Sequence, residues 1–375
     1  MMNNAVLESK SSLQRKRSYA IKKLPSLTRS ISIHSEKQLP LLFDVNDIEI
    51  IEEIGQGAFG KIHKVHHKNF QEDLVIKGVL NNAGECEAYL LKEVSLLQRL
   101  KHPNLLCSFG VLVMDHQLWL VTEFVCAGSL HDYVLVRPHR FLSWQTRISF
   151  AADIASAMSY LHEQGVVHRD LTSHNCLVRS NGSVVVADLG LALLTRPPEA
   201  THEARDAHGF SRNPTLNCRI GARCFFSGSP IKEISSDEDA QPEYEIHPSL
   251  SAPCQRRNKR KYQVLGSPFW MAPEMFSSKP YDESVDIYSF GVILCQLIGR
   301  VDADPDVLER RSSTLSIDTD KFLKTHVPED APRELVELAI ACTRLESDSR
   351  PSFSVCHSWL QGNCLQRVGM EEPVK

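Results

Sequence analysis

A glycine-rich hexapeptide, Gly55-Gln56-Gly57-Ala58-Phe59-Gly60, is framed by β-like runs on both sides: Ile48 to Ile51 before it, and Lys61 to Val65 after it. Glycines at these spacings let backbone N–H groups approach phosphate oxygens with no Cβ in the way. In a dinucleotide-binding unit the same pattern opens directly into a helix. Here a strand-like run follows, so the sequence calls for a glycine-rich hairpin lying over a phosphate-bearing ligand. A third such run, Leu74 to Lys77, comes next. It leads into a helical stretch from about Glu85 to Leu100, with Leu90, Val94, Leu97 and Leu100 on one face. Strand-like runs at Val111 to Met114 and Leu118 to Phe124 complete a small β-rich lobe.

The pattern then changes. Trp144 to Glu163 sets Ile148, Ala152, Ala155, Met158 and Leu161 on one helical face and stops before Gly165, a suitable C-terminal cap. Short apolar strands at Cys176 to Val178 and Val184 to Val186 follow, then helices over about Ser284 to Ile298 and Arg333 to Thr343. The predicted class is α+β with two lobes, a β-rich N-terminal one over 43–125 and a larger, mainly helical one over 126–362. Residues 1–42 read as a disordered basic, Ser-rich tail, 195–262 as a flexible insertion, and 363–375 as a C-terminal tail.

Residues 1–40 carry eight Lys/Arg against two acids, although the whole chain has a formal net charge of -4. The Arg/Ser-rich start also resembles a mitochondrial presequence, but its composition fits a disordered basic arm better. With 42% apolar and 23% charged residues, composition marks neither a collagenous nor a wholly disordered chain, and it gives no sign of sequence-specific nucleic-acid binding. No apolar run approaches the roughly 18 residues that span a bilayer. The eleven cysteines include no C-x-x-C pair, which points to reduced thiols in a cytosolic setting.

The chemistry-bearing residues occur in one order. Lys77 ends an apolar strand, where a fixed ammonium would neutralise phosphate charge. Glu93 shares the inward face of its helix with Leu90 and Leu97, so it needs a buried partner, and Lys77 is the natural one. His168-Arg169-Asp170-Leu171-Thr172-Ser173-His174-Asn175 fits H-R-D-L-x-x-x-N, with Asp170 placed to accept a hydroxyl proton and Asn175 to hold a metal ion. Asp188-Leu189-Gly190 fits the D-F-G position, where a carboxylate chelates Mg²⁺, and Ala272-Pro273-Glu274 closes the segment. Leu189 in place of Phe keeps an apolar side chain for packing.

This order resembles the protein kinase family. His168 to Val178 (HRDLTSHNCLV), Gly266 to Met275 (GSPFWMAPEM) and Ile298 to Asp306 (IGRVDADPD) resemble the LIM kinase and testis-specific kinase group, over roughly residues 45–362. The resemblance implies a bilobal kinase fold and transfer of a phosphoryl group from ATP with Mg²⁺, or Mn²⁺ in its place. It also implies nucleotide contacts from Ile54, Gly55, Gly57, Gly60, Ile62, Lys77, Thr122 as gatekeeper, Glu123 and Val125. The catalytic residues implied are Asp170, Lys77, Glu93 and Arg169, with Asn175 and Asp188 as metal ligands. The implied substrate is a Ser/Thr-bearing protein, cofilin or actin-depolymerising factor, and the process actin filament turnover, in a cytoplasmic, cytoskeleton-associated setting. Thr172-Ser173 stands where Ser/Thr kinases carry a Lys and tyrosine kinases an Ala-Arg motif, so dual specificity stays open. A pseudokinase scaffold is the alternative, and the complete inventory argues against it.

The sequence departs from LIM kinases in two respects. It has no Cys/His pairs at zinc-finger spacing, so it reads as a catalytic domain without LIM or PDZ domains. The basic run Arg256 to Lys261 is kept, but Gln263 stands at the activating threonine, so Arg169 must meet some other anion. Candidates are phosphate on Ser267 or Tyr262, phosphate within Ser227 to Ser236, or the acids Asp237 to Asp239, with the upstream kinase left open. The basic runs would also suit nuclear entry. Asp286 and Arg350 are expected to be structural, Asp286 near the catalytic loop and Arg350 paired with Glu274.

Overall fold

The computed structural model describes residues 41–57, 60–79, 84–115, 117–136, 141–195, 266–276 and 280–366. Most of the predicted tail, the insertion and the C-terminal tail lie outside them. Six strands form the N-terminal sheet: β1 (Leu41–Phe43), β2 (Ile48–Gly57), β3 (Gly60–His67), β4 (Leu74–Val79), β5 (Ser108–Met114) and β6 (Gln117–Glu123). Their order is β1-β5-β6-β4-β3-β2, and every pair is antiparallel except β1 with β5. The glycine-rich sequence does form a hairpin, with β2 and β3 paired from Ile48 opposite His67 to Gly57 opposite Gly60 and the register shifting between Ile50 and Glu52 and between Glu53 and Gly55. Helix α1 (Gly84–Arg99) falls between β4 and β5 in the chain.

Strand β1 corrects the predicted boundary at residue 42, because Leu41 and Leu42 are already paired. Three residues alternate too few times for a period-2 pattern to be read. What orders them is the free edge of β5 and the burial of Phe43, 6% exposed, against the rings of His67 and Phe70. Burying such a ring contributes about 2 kcal/mol. Gly110 makes the approach possible, since a Cβ there would lie 2.0 Å from the Leu41 carbonyl oxygen. The lobe's own core is Phe43, Val65, Leu74, Ile76, Leu112, Trp119 and Val121.

The C-terminal lobe contains α2 (Trp144–Glu163), the short strands β7 (Val166–Val167), β8 (Cys176–Val178), β9 (Val184–Val186) and β10 (Leu193–Leu194), and then α3 (Pro273–Phe276), α4 (Ser284–Gly299), α5 (Thr319–Thr325), α6 (Arg333–Cys342) and α7 (Phe353–Trp359). Helix α2 starts where Ser143 accepts the Thr146 N–H as N-cap, and the chain leaves it through Gly165 at φ +69°. Every residue of α4 from Ser284 to Ile298 is buried, as suits a helix apolar on all sides. Its last carbonyls, Leu297 and Ile298, accept from the Arg147 guanidinium at 3.1 and 3.0 Å. The lobe also runs past the predicted end at 362, because Leu360 and Cys364 are both fully buried in its core. Among the described residues no helix is long and apolar enough to cross a membrane.

Candidate functional site

Three strands and one helix bring the first group of predicted residues together. Lys77 on β4 stands opposite Ile62 on β3 and Leu120 on β6. Its ammonium lies 3.0 Å from Glu93 on α1 and 3.0 Å from Asp188. Burial works against the Lys77 charge, but the two carboxylates outweigh it and raise the pKa above the ordinary lysine value. Asp188 is likewise opposed by burial, yet the ammonium holds its pKa below the ordinary aspartate value. Glu93 moves the other way: it is 2% exposed, and burial reinforced by Asp188 raises its pKa despite Lys77. One ammonium therefore serves two carboxylates.

The other predicted nucleotide contacts follow the sheet. Gly55 pairs with Ile62 across the hairpin and Gly57 with Gly60, which leaves Ile54 43% exposed at the rim; Ala58 and Phe59 lie outside the described residues. Thr122 is buried at the end of β6, followed by Glu123 and the buried Val125. The Glu123 side chain adds a fastening that local sequence did not suggest. It accepts from Arg179 through both oxygens, at 2.6 and 2.9 Å, and from the Cys107 N–H at 2.8 Å. The connection between the lobes is thereby tied to the loop after β8.

Residues 168–170, predicted to form the catalytic loop, hang on Asp286. Its two oxygens accept the backbone N–H groups of His168 and Arg169, each at 2.8 Å, and one of them also bonds His162 Nε2 at 2.9 Å. Burial opposes the charge, but these donors hold Asp286 below the ordinary aspartate value. This confirms its predicted place beside the loop. Arg169 adopts φ +67°, and its guanidinium donates to the Leu191 carbonyl at 2.8 Å. Lys92 was missed in the sequence reading: burial and then the neighbouring Arg169 charge bring it down to about 8.

Asp170 stands at the centre. Burial raises its pKa above the ordinary value, while hydrogen bonding from Ser267 pulls the other way. The Ser267 N–H donates to one carboxylate oxygen at 2.8 Å, and Asn175 Nδ2 donates to the other at 3.2 Å and to the Asp170 carbonyl at 2.8 Å. Gly266, at φ +116°, brings this segment in, since a Cβ would lie 2.4 Å from the Arg169 carbonyl oxygen. A phosphate on Ser267 would set two anions side by side, which counts against it among the proposed partners of Arg169. Tyr262, Gln263 and the acids near Asp237 lie outside the described residues.

Asn175 spends its amide N–H groups on Asp170, so its amide oxygen remains as a donor atom for a metal. The Ala187 N–H donates to the Asn175 carbonyl at 2.8 Å, and His168 Nε2 bonds the Ala187 carbonyl at 3.0 Å, which brings Asn175 and Asp188 together. One carboxylate and one amide oxygen fit Mg²⁺, which is held by few protein oxygens and by substrate phosphates. Leu189 is fully buried, so its replacement of Phe keeps the packing role while Asp188 faces Lys77. Arg350 pairs with Glu274 in a two-pronged bridge at 2.6 and 2.9 Å, as the sequence suggested.

Residues 48–210 and 249–360 match the family described as protein tyrosine and serine/threonine kinase. The chain is 38% identical over 338 residues to LIM domain kinase 1 of Drosophila melanogaster, covering 90% of this chain and 25% of that protein. It is 35% identical over 324 residues to dual specificity testis-specific protein kinase 2 of Rattus norvegicus, and 34% identical to the Homo sapiens protein of that name. Each of these matches covers 86% of this chain and 45% of the relative. The chain thus spans between a quarter and just under half the length of these relatives.

Proposed function

The chain belongs to the protein tyrosine and serine/threonine kinase family, and we propose that it transfers the γ-phosphoryl group of ATP to Ser or Thr hydroxyls of a protein substrate, with tyrosine as a further acceptor. The observation that carries this reading is the placement of Asp170. Its carboxylate is oriented by Asn175 and Ser267, within one site with the Lys77–Asp188 pair.

In this reading Lys77 meets the α- and β-phosphates, and Asp170 accepts the substrate hydroxyl proton as that oxygen attacks in line. Raised by burial, Asp170 is a better base than a solvent-exposed aspartate. Asn175 and Asp188 would hold Mg²⁺, which supplies charge neutralisation on the phosphates when bound. The chain's own contribution is positioning and fixed charge. The kinship to LIM domain kinase 1 supports cofilin as the substrate and regulation of the actin cytoskeleton as the outcome, in a cytoplasmic setting. The name of the testis-specific relatives supports dual specificity.

The test is incubation of the purified chain with Mg-ATP and cofilin beside Asp170→Ala. Transfer to Ser/Thr is expected to fall by roughly 10³-fold in the variant. Equal signals from both proteins would leave an ATP-binding scaffold and sink the enzyme reading. Product carrying only phosphotyrosine would overturn the Ser/Thr assignment, and activity on other proteins but not on cofilin would remove that substrate.

A further inference from the structure

Residues 266–271 run beside the Asp170 carboxylate, with Gly266 packed against the Arg169 carbonyl. The segment is in contact at Ser267, whose N–H donates to Asp170. Beyond that point the backbone makes a turn, the Trp270 N–H donating to the Ser267 carbonyl and the Met271 N–H to the Pro268 carbonyl, each at 3.2 Å, and three consecutive carbonyls, of Phe269, Trp270 and Met271, need donors from elsewhere. Ser289 on α4 supplies one, its hydroxyl donating to the Trp270 carbonyl at 2.9 Å. The other two go to a single side chain from a distant loop. Arg310 donates through Nη2 to Phe269 at 2.7 Å and through Nη1 to Met271 at 2.9 Å.

The same guanidinium holds its own loop. Nη1 also donates to the Leu315 carbonyl at 2.8 Å, and Arg310 pairs with Ile317 as an isolated antiparallel bridge. Leu315 has a left-handed backbone at φ +59° while its side chain stays 42% exposed, an arrangement that local preference would not choose. Arg310 further packs over the Tyr288 ring at 5.5 Å, and Arg350, which holds Glu274, lies 4.9 Å from that ring. The segment is thus fixed at Ser267, at 269 and 271, and at Glu274. Of the residues from 269 to 272 only Phe269 is exposed, at 37%; Trp270, Met271 and Ala272 are buried. Arg310 supplies the ties on either side of Trp270, which is itself held by Ser289 and by its ring N–H on Gln296 at 2.9 Å.

We infer that Arg310 is a positioning residue for protein substrate: by tying the carbonyls of Phe269 and Met271 to the 310–317 loop, it fixes the segment on which the acceptor lies. The inference rests on the kinase reading for its substrate. A planar fork with several N–H groups suits this task, and an ammonium cannot bond two backbone carbonyls and a third on its own loop in the same geometry.

The experiment compares the full chain with Arg310→Met and Arg310→Lys, using myelin basic protein and Mg-ATP, with hydrogen exchange read by mass spectrometry. In Arg310→Met the KM for the protein should rise about ten-fold with kcat and the KM for ATP little changed. Arg310→Lys should recover part of the loss. Exchange should increase in the peptide spanning 266–276 and not across the N-terminal lobe. An unchanged KM for protein, a parallel fall in kcat with a shifted KM for ATP, or exchange raised throughout the domain would overturn the assignment. Wild-type protein that transfers no phosphate either to myelin basic protein or to cofilin would sink the kinase reading separately. Exchange at 266–276 would then decide alone whether Arg310 holds the segment, and an unchanged rate there would end the inference.

Discussion

Glu93 on α1 and Asp286 on α4 are both almost fully buried, 2% and 0% exposed, and both organise half of the site, yet their ionisation is pushed in opposite directions. Burial penalises both. Asp286 receives three donors of its own, two backbone N–H groups and the His162 ring, and its charge is fully answered. Glu93 has one donor of its own, the Leu189 backbone N–H, and otherwise shares one ammonium with Asp188, a like charge that adds to the burial penalty. Donor count, not depth, decides the outcome. The two carboxylates thus fasten their surroundings differently: Asp286 ties the 168–170 loop to its lobe through donors of its own, whereas Glu93, on a helix packed into the core by Leu90, Val94 and Leu97, reaches Lys77 through a shared ion pair.

The largest expected effect comes from Asp286. In Asp286→Asn an amide N–H group faces backbone donors in a fully buried site, so stability should drop by about 3 kcal/mol and transfer should fall with it. Chemical denaturation with a parallel kinase assay checks this, and a variant as stable as wild type would contradict the anchor role. Glu93→Gln should behave differently. Losing the fixed position of Lys77 is expected to lower kcat/KM by about 10²-fold, while the melting temperature stays level or rises because a poorly compensated buried carboxylate is gone. A melting temperature lowered as far as that of Asp286→Asn would erase the distinction between the two carboxylates.

What the sequence made legible divides along the same line. Lys77 and Glu93 could be paired because helical periodicity turned Glu93 inward with Leu90 and Leu97, and Asp170, Asn175 and Asp188 sit in short local patterns. The helices α2 and α4 were readable to within a residue because long apolar periodicity survives any context. The contacts that no local pattern encodes were not readable. Arg179 reaches Glu123 across 56 residues and Ser267 reaches Asp170 across 97, each through a single polar pair. Arg310 offers no clue either, since its partners are carbonyls, which every residue carries. Strand β1 is too short to show alternation, and its order comes from an edge supplied by β5.

The smallest effect is the most discriminating, because the two carboxylates should change stability with opposite slopes against pH. The folded pKa of Asp286 lies below the ordinary 3.8, so its contribution is present above about pH 4 and is lost as pH falls through the folded value. The folded pKa of Glu93 lies above the ordinary 4.5, so its contribution is complete below about pH 4.5 and is lost as pH rises through that higher folded value. Melting temperatures of wild type, Asp286→Asn and Glu93→Gln across the acid range separate the two. The gap between wild type and Asp286→Asn should close below about pH 4, whereas wild type should gain on Glu93→Gln as pH falls toward about 4.5. Parallel gaps in both variants would mean that the shared ammonium answers Glu93 as fully as three donors answer Asp286.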